Sequence, residues 1–141
     1  MRTIPHIYLC GTPYTDAPHK DWKQNFVDDL TIDFRIFDPN PEGKGAMDDL
    51  GFDVGPEVVS RDKRAIESCD ILVAYINKAT TGSIMEIFHA HNVDTVTYVI
   101  RPGGYNGGIW MNYHTDRFFE NPKQCSEFIS NTWHNVRYIK S

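Results

Sequence analysis

Short apolar runs alternate along the chain with stripes of helical spacing. Residues 4–10 (IPHIYLC) read as a buried strand, closed by Gly11, Thr12 and Pro13. Over 19–30 the apolar positions Trp22, Phe26, Val27 and Leu30 fall on one helical stripe. Residues 34–37 form a second short strand, stopped by Asp38 and Pro39. A long stretch punctuated by Gly and Pro, 39–56, comes next. Structureless loops beyond about 12–15 residues are uncommon in compact domains and often serve as functional lids. The pattern then predicts a helix over 57–68, a strand over 71–76, a helix over 83–91 and a strand over 95–100. After the loop RPGGYNGG, the tail predicts a helix over 123–130 and an edge strand over 136–139.

Strands and helices alternating in this way predict an α/β architecture. The expectation is one flavodoxin-like or Rossmann-like domain over 1–141, a three-layer sandwich around a five-stranded, mostly parallel sheet. In such sheets the ligand crevice lies beyond the carboxyl ends of the strands. Loops 11–18, 77–83 and 101–110 are therefore expected around one crevice.

Composition narrows the function classes. The 141 residues are 40% hydrophobic and 23% charged, with a net charge of −5, which excludes a chain too polar to fold. No basic run suggests polymeric nucleic acid or an anionic membrane surface, and no apolar run approaches the roughly 18 residues of a membrane span. The opening MRTIPHIYLCG lacks the apolar stretch and cleavage site of a secretory signal. Cys10, Cys69 and Cys125 have no CxxC spacing, which fits reduced thiols and a cytoplasmic location.

Two carboxylates stand out. Asp62 sits within the stripe Val58, Ala65, Ile66 and Cys69, where an unpaired carboxylate is costly and needs a partner or a cleft. Capping a neighbouring loop and a functional role both satisfy that need. Glu86, in TTGSIMEI, lies near the start of a helix that follows a buried strand, with Ile84, Ile87, Phe88 and His91 as that helix's packed stripe. The positive end of the helix dipole favours its ionised form. Such a position suits either a solvated helix-start Glu or a nucleophile at the crevice. His89 and His91 diverge on their helix, which speaks against a metal pair, and no HExxH, P-loop or GxGxxG is present. Thr80, Thr81 and Ser83 offer hydroxyls either to a substrate oxygen or to the helix start.

Taken in order, IYLCGTPYTD, DKRAIESCDILVAYI and TTGSIMEI resemble the nucleoside 2-deoxyribosyltransferase family, whose relatives hydrolyse deoxynucleoside monophosphates. The resemblance covers about residues 4–115. It implies cleavage of the N-glycosidic bond of 2′-deoxynucleosides without a cofactor or metal. Glu86 takes the place of the nucleophile that forms a deoxyribosyl ester, Tyr8 of the tyrosine that orients it, and Asp62 of a carboxylate near the sugar. The resemblance further implies substrate contacts from Gly11, Thr12, Tyr14, Asp16, Thr80, Gly82 and Ser83, with Gly11 and Gly82 letting the backbone approach the sugar.

Two features pull apart. Transferases of this family carry Asp six residues before the nucleophile. Here Thr80 stands there, as a small hydroxyl residue does in the monophosphate hydrolases. The first loop, TPYTDAPH, lacks the hydrolases' arginine and looks like the transferases. Transfer between nucleobases is the first reading, monophosphate hydrolysis the second, and a catalytically silent nucleotide-binding module the third. The resemblance also implies a homo-oligomer whose neighbouring subunit completes the pocket, with Asn112 as the expected contributor and His114 as the weaker one. Trp110 and Tyr113 are expected as interface or core aromatics.

Overall fold

The computed structural model of the chain describes residues 3–12, 21–41 and 55–136, with side chains as far as 134. Five strands, β1 (His6–Gly11), β2 (Arg35–Phe37), β3 (Ile71–Tyr75), β4 (Val96–Ile100) and β5 (Arg117–Phe119), form one sheet in the order β2-β1-β3-β4-β5. All four pairings are parallel, with Tyr8 opposite Phe37 and Leu72, and Tyr75 opposite Ile100. The helices are α1 (Trp22–Asp28), α2 (Gly55–Ser68), α3 (Thr81–Asn92), α4 (Ile109–His114) and α5 (Pro122–Val136).

The three inner strands are apolar at nearly every position because both faces are covered. Alternation sends Ile7, Leu9, Ile71, Val73, Tyr75, Tyr98 and Ile100 to one layer, under Trp22 and Phe26 of α1 and Ile129 and Trp133 of α5. Tyr8, Cys10, Leu72, Ala74 and Val99 go to the other, under Ile66 of α2, Ile87 of α3 and Met111 of α4. Each fully buried aliphatic side chain contributes about 1.5–3 kcal/mol. The chain's path thus fixes which face carries chemistry: Tyr8 and Cys10 point toward α2 and α3, while Ile7 and Leu9 point away.

Three sequence expectations are corrected. Among the described residues the fifth strand is β5, and Val136, the first residue of the expected 136–139 strand, is helical instead. Val136 ends α5, whose buried residues Cys125, Ile129 and Trp133 recur every fourth position, and residues 137 onward lie outside those described. Helix α4 begins inside the stretch read as loop 101–110. On α3 the buried positions are Ser83, Ile87 and Ala90, whereas Phe88 is 45% exposed.

Gly11 ends β1 at φ 145°, and a Cβ there would lie 2.3 Å from the Tyr75 carbonyl oxygen. The residue is therefore demanded by the approach of β1 to β3. Thr12 extends the same seam: its N–H donates to Tyr75 O (2.9 Å) and its Oγ1 accepts from Asn77 N–H (3.4 Å). Gly11→Ala should cost about 2–4 kcal/mol of stability, read as a lower urea midpoint at an unchanged m-value.

Candidate active site

Strand order reverses between β1 and β3, so the crevice expected of this topology opens above their carboxyl ends. Tyr8 is wholly buried there, with its ring stacked on Phe37 (centroids 5.5 Å apart, 14° between planes). Its hydroxyl donates to Glu86 Oε2. The partners come together because Tyr8 occupies the α3-facing register of β1 and Glu86 the shoulder of the stripe that packs α3 onto it. One turn earlier, buried Ser83 hydrogen-bonds the Cys10 thiol, giving a second rung between the same two elements.

Burial dominates the electrostatics. It pushes the Glu86 carboxyl up to about 7, opposed by the Tyr8 hydrogen bond, reinforced by nearby Asp62 and eased by Lys23 and Arg61. Tyr8 is held far above the ordinary tyrosine range, first by burial and then by the Glu86 charge, so it acts only as a proton-retaining donor. Burial, with the Glu86 charge second, likewise keeps the Cys10 thiol protonated.

Two ion pairs flank this carboxylate. On α2, Arg61 donates from Nε (3.0 Å) and Nη2 (2.9 Å) to Asp62 Oδ1, and Nη2 also reaches Pro39 O at 3.4 Å. On α1, Lys23 Nζ donates to Asp38 Oδ1 (2.7 Å) and to Asn40 O (2.9 Å), with a side chain only 12% exposed. Asp38 Oδ1 also accepts the Asn40 N–H at 3.0 Å. The turn after β2 is thus held from two helices. Sequence reasoning missed Lys23, Asp38 and Arg61. The available signal was Asp38 at the carboxyl end of a parallel strand, which the pattern analysis read only as a strand stop.

The remaining predicted residues are scattered. Gly82 lies in the first turn of α3, is exposed, and a Cβ there would meet nothing among the described residues. Thr80 precedes α3 in extended conformation, makes no side-chain cap, and joins Ile76, Lys78, Ile84, Met85 and Tyr105 around a recess of about 260 Å3. Asn112 faces solvent on α4 beside Ile109 (81% exposed), Trp110 (67%) and Tyr113 (74%), so these aromatics are not core. His114 is buried, its Nδ1 2.7 Å from Trp110 O. Tyr14 and Asp16 lie outside the described residues. Among the described residues no group of three or more His, Cys, Asp or Glu side chains is arranged to hold a metal ion.

Solved structures carry the same architecture. A 2-deoxyribosyltransferase from Bacillus psychrosaccharolyticus superposes with a TM-score of 0.67 at 18% identity, over 86% of this chain and 90% of that one. The chain shares its fold with that structure. A CMP N-glycosidase from Clostridium botulinum, BcmB, superposes with a TM-score of 0.55 at 13% identity, over 88% and 97%. No family model and no curated protein matches the sequence. Among the described residues no helix is long and apolar enough to cross a membrane.

Because the fold raises the Glu86 carboxyl from 4.5 to about 7, the folded state binds the extra proton between those values. Its contribution to stability is complete below pH 4.5 and is lost as pH rises through 7. Glu86→Gln keeps an acceptor for Tyr8 without the charge. It should be more stable than wild type by about 2 kcal/mol at pH 8, with the difference vanishing toward pH 4.5; urea denaturation across that range is the check.

Proposed function

We propose that the chain transfers the 2-deoxyribosyl group between nucleobases, cleaving the N-glycosidic bond of 2′-deoxynucleosides with Glu86 as nucleophile. The observation that carries this reading is the part-buried Tyr8–Glu86 hydrogen bond, at the crevice of a chain that shares its fold with a 2-deoxyribosyltransferase. Tyr8 occupies Oε2 and orients the carboxylate, so that Oε1 serves as the attacking atom. Glu86 Oε1 forms a bond to the anomeric carbon as the C–N bond breaks, and the base leaves with the electron pair and takes a proton from solvent, to which the incoming base or water later returns one. The carboxylate offsets the positive charge that develops on the sugar, as in retaining glycoside chemistry. Nitrogen of a second base then attacks the same carbon and releases the carboxylate; water in its place gives hydrolysis. Asp62, its Oδ1 fixed by Arg61, offers Oδ2 to the sugar.

A nucleoside suits the crevice because Lys23 and Arg61 are each matched by a carboxylate, Asp38 and Asp62. A second reading, hydrolysis of 2′-deoxynucleoside 5′-monophosphates, draws on Thr80, which shares its recess with Lys78. We further propose a homo-oligomer in which the exposed Ile109, Trp110 and Tyr113 pack between copies and Asn112 reaches a neighbour's crevice. Three buried, unbridged thiols support a cytoplasmic setting.

Incubating the protein with each deoxynucleoside and each monophosphate, with and without an acceptor base, tests the reading by chromatography. New nucleoside that requires the acceptor is expected, and acceptor-independent release of base from monophosphates alone would favour the second reading. Glu86→Gln should lower turnover at least about 1,000-fold. In wild type, kcat/KM should rise with pH through a limb near 7, where the nucleophile ionises. Tyr8→Phe removes the hydrogen bond that lowers the Glu86 pKa, so its limb should move to higher pH with kcat about 10–100-fold lower.

A further inference from the structure

Asp38 takes part in neither the nucleophile nor its tyrosine support, yet it is one of the most constrained carboxylates in the crevice. Its side chain is 18% exposed. Both of its contacts, Lys23 Nζ at 2.7 Å and the Asn40 N–H at 3.0 Å, fall on Oδ1. Oδ2 therefore has no partner among the described residues, while Oδ1 is held from two sides. Asp38 directly follows Phe37, which pairs with Tyr8 across the sheet and stacks on its ring, so Asp38 stands at the carboxyl end of β2 beside that tyrosine. A carboxylate fixed through one oxygen and open at the other is a preorganised acceptor. Lys23 already balances its charge, so it needs a hydrogen-bond donor and has no need of a cation.

We propose that Asp38 is a specificity residue, accepting through Oδ2 a hydrogen bond from an uncharged donor of the substrate, a sugar hydroxyl or a base N–H. This rests on the nucleoside reading above. Lys23 and the Asn40 N–H act as positioning groups: they select the carboxylate rotamer. A site built around such an acceptor discriminates against an analogue without the donor, because the acceptor is then desolvated without a partner.

The test compares Asp38→Asn with Asp38→Ala. The amide can still receive Lys23 and the Asn40 N–H at its oxygen, but it presents an NH2 donor where Oδ2 stood. A purely structural role makes Ala the worse variant, since Ala loses both tethers. A substrate-facing acceptor makes Asn the worse one, because two donors then confront each other. We expect kcat/KM on the pH-independent plateau to fall about 100-fold for Asn and about 10-fold for Ala. With a 3′-deoxy or 5′-deoxy analogue the penalty disappears if the donor is that hydroxyl. If instead it tracks bases with an exocyclic amine and spares thymidine, the donor is on the base. Lys23→Met, which removes one of the two tethers of Asp38, should shift the pH limb and weaken the discrimination against the analogue that lacks the donor. Wild-type turnover with Asn no worse than Ala overturns the assignment. A wild type inactive on every nucleoside and monophosphate overturns the nucleoside reading and this inference with it.

Discussion

Everything about this site follows from placing a carboxylate against a strand that is buried on both faces. The layer beneath α3 is built from Tyr8, Leu72, Ala74, Ile87 and Val99, all of them sealed from water. Such surroundings disfavour charge, and the Glu86 carboxyl responds by holding its proton up to about pH 7. One hydroxyl, from Tyr8, supplies the compensating hydrogen bond. Near neutrality the group is thus divided between its two forms, and small changes in its surroundings decide which prevails. Lys23 and Arg61 pull toward the ion and Asp62 pushes away from it.

The two flanking ion pairs carry a structural role along with the electrostatic one. The turn after β2 has backbone carbonyls at Pro39 and Asn40, each accepting from a cation on a different helix. Strand β2 is only three residues long and lies at the edge of the sheet. Its register with β1 brings Phe37 beside Tyr8, and the rings stack. This short edge strand is thereby joined to the tyrosine that supports the carboxylate, and the cations of α1 and α2 hold the turn that follows it.

Much of this was legible in the residues, and the exceptions have physical reasons. The three inner strands, β1, β3 and β4, announce themselves as apolar runs because burial on both faces removes the polar alternation. Asp62 was conspicuous because its helix stripe was otherwise apolar, and it is largely sheltered, though by pairing with Arg61. Tyr8 and Glu86 emerged as a pair only through resemblance, since 78 positions separate them and no local pattern encodes a long-range contact. Strand β5 escaped notice because three residues, with Phe118 and Phe119 turned to opposite layers, leave no period to detect. At Gly11 the close approach to the neighbouring strand was not legible, because the Tyr75 carbonyl that a Cβ would meet lies 64 positions away in the chain. Lys23 and Asp38 stayed hidden because a lysine on a short helix and an aspartate before a proline are commonplace, and only the sheet order brings them together.

The parallel topology also decides when in folding this centre comes into being. Strand β1 finds no sequential neighbour on its inner side; its partner there is β3, with Ile7 paired to Ile71 across α1, β2 and α2. Closing so long a loop precedes any reward from the contact, a cost characteristic of slow, high-contact-order folds. The Tyr8 hydroxyl reaches Glu86 only after β1, β3 and α3 have docked. The reactive pair is therefore a signature of the completed sheet, and intermediates that bury much of the core without that docking lack the centre altogether.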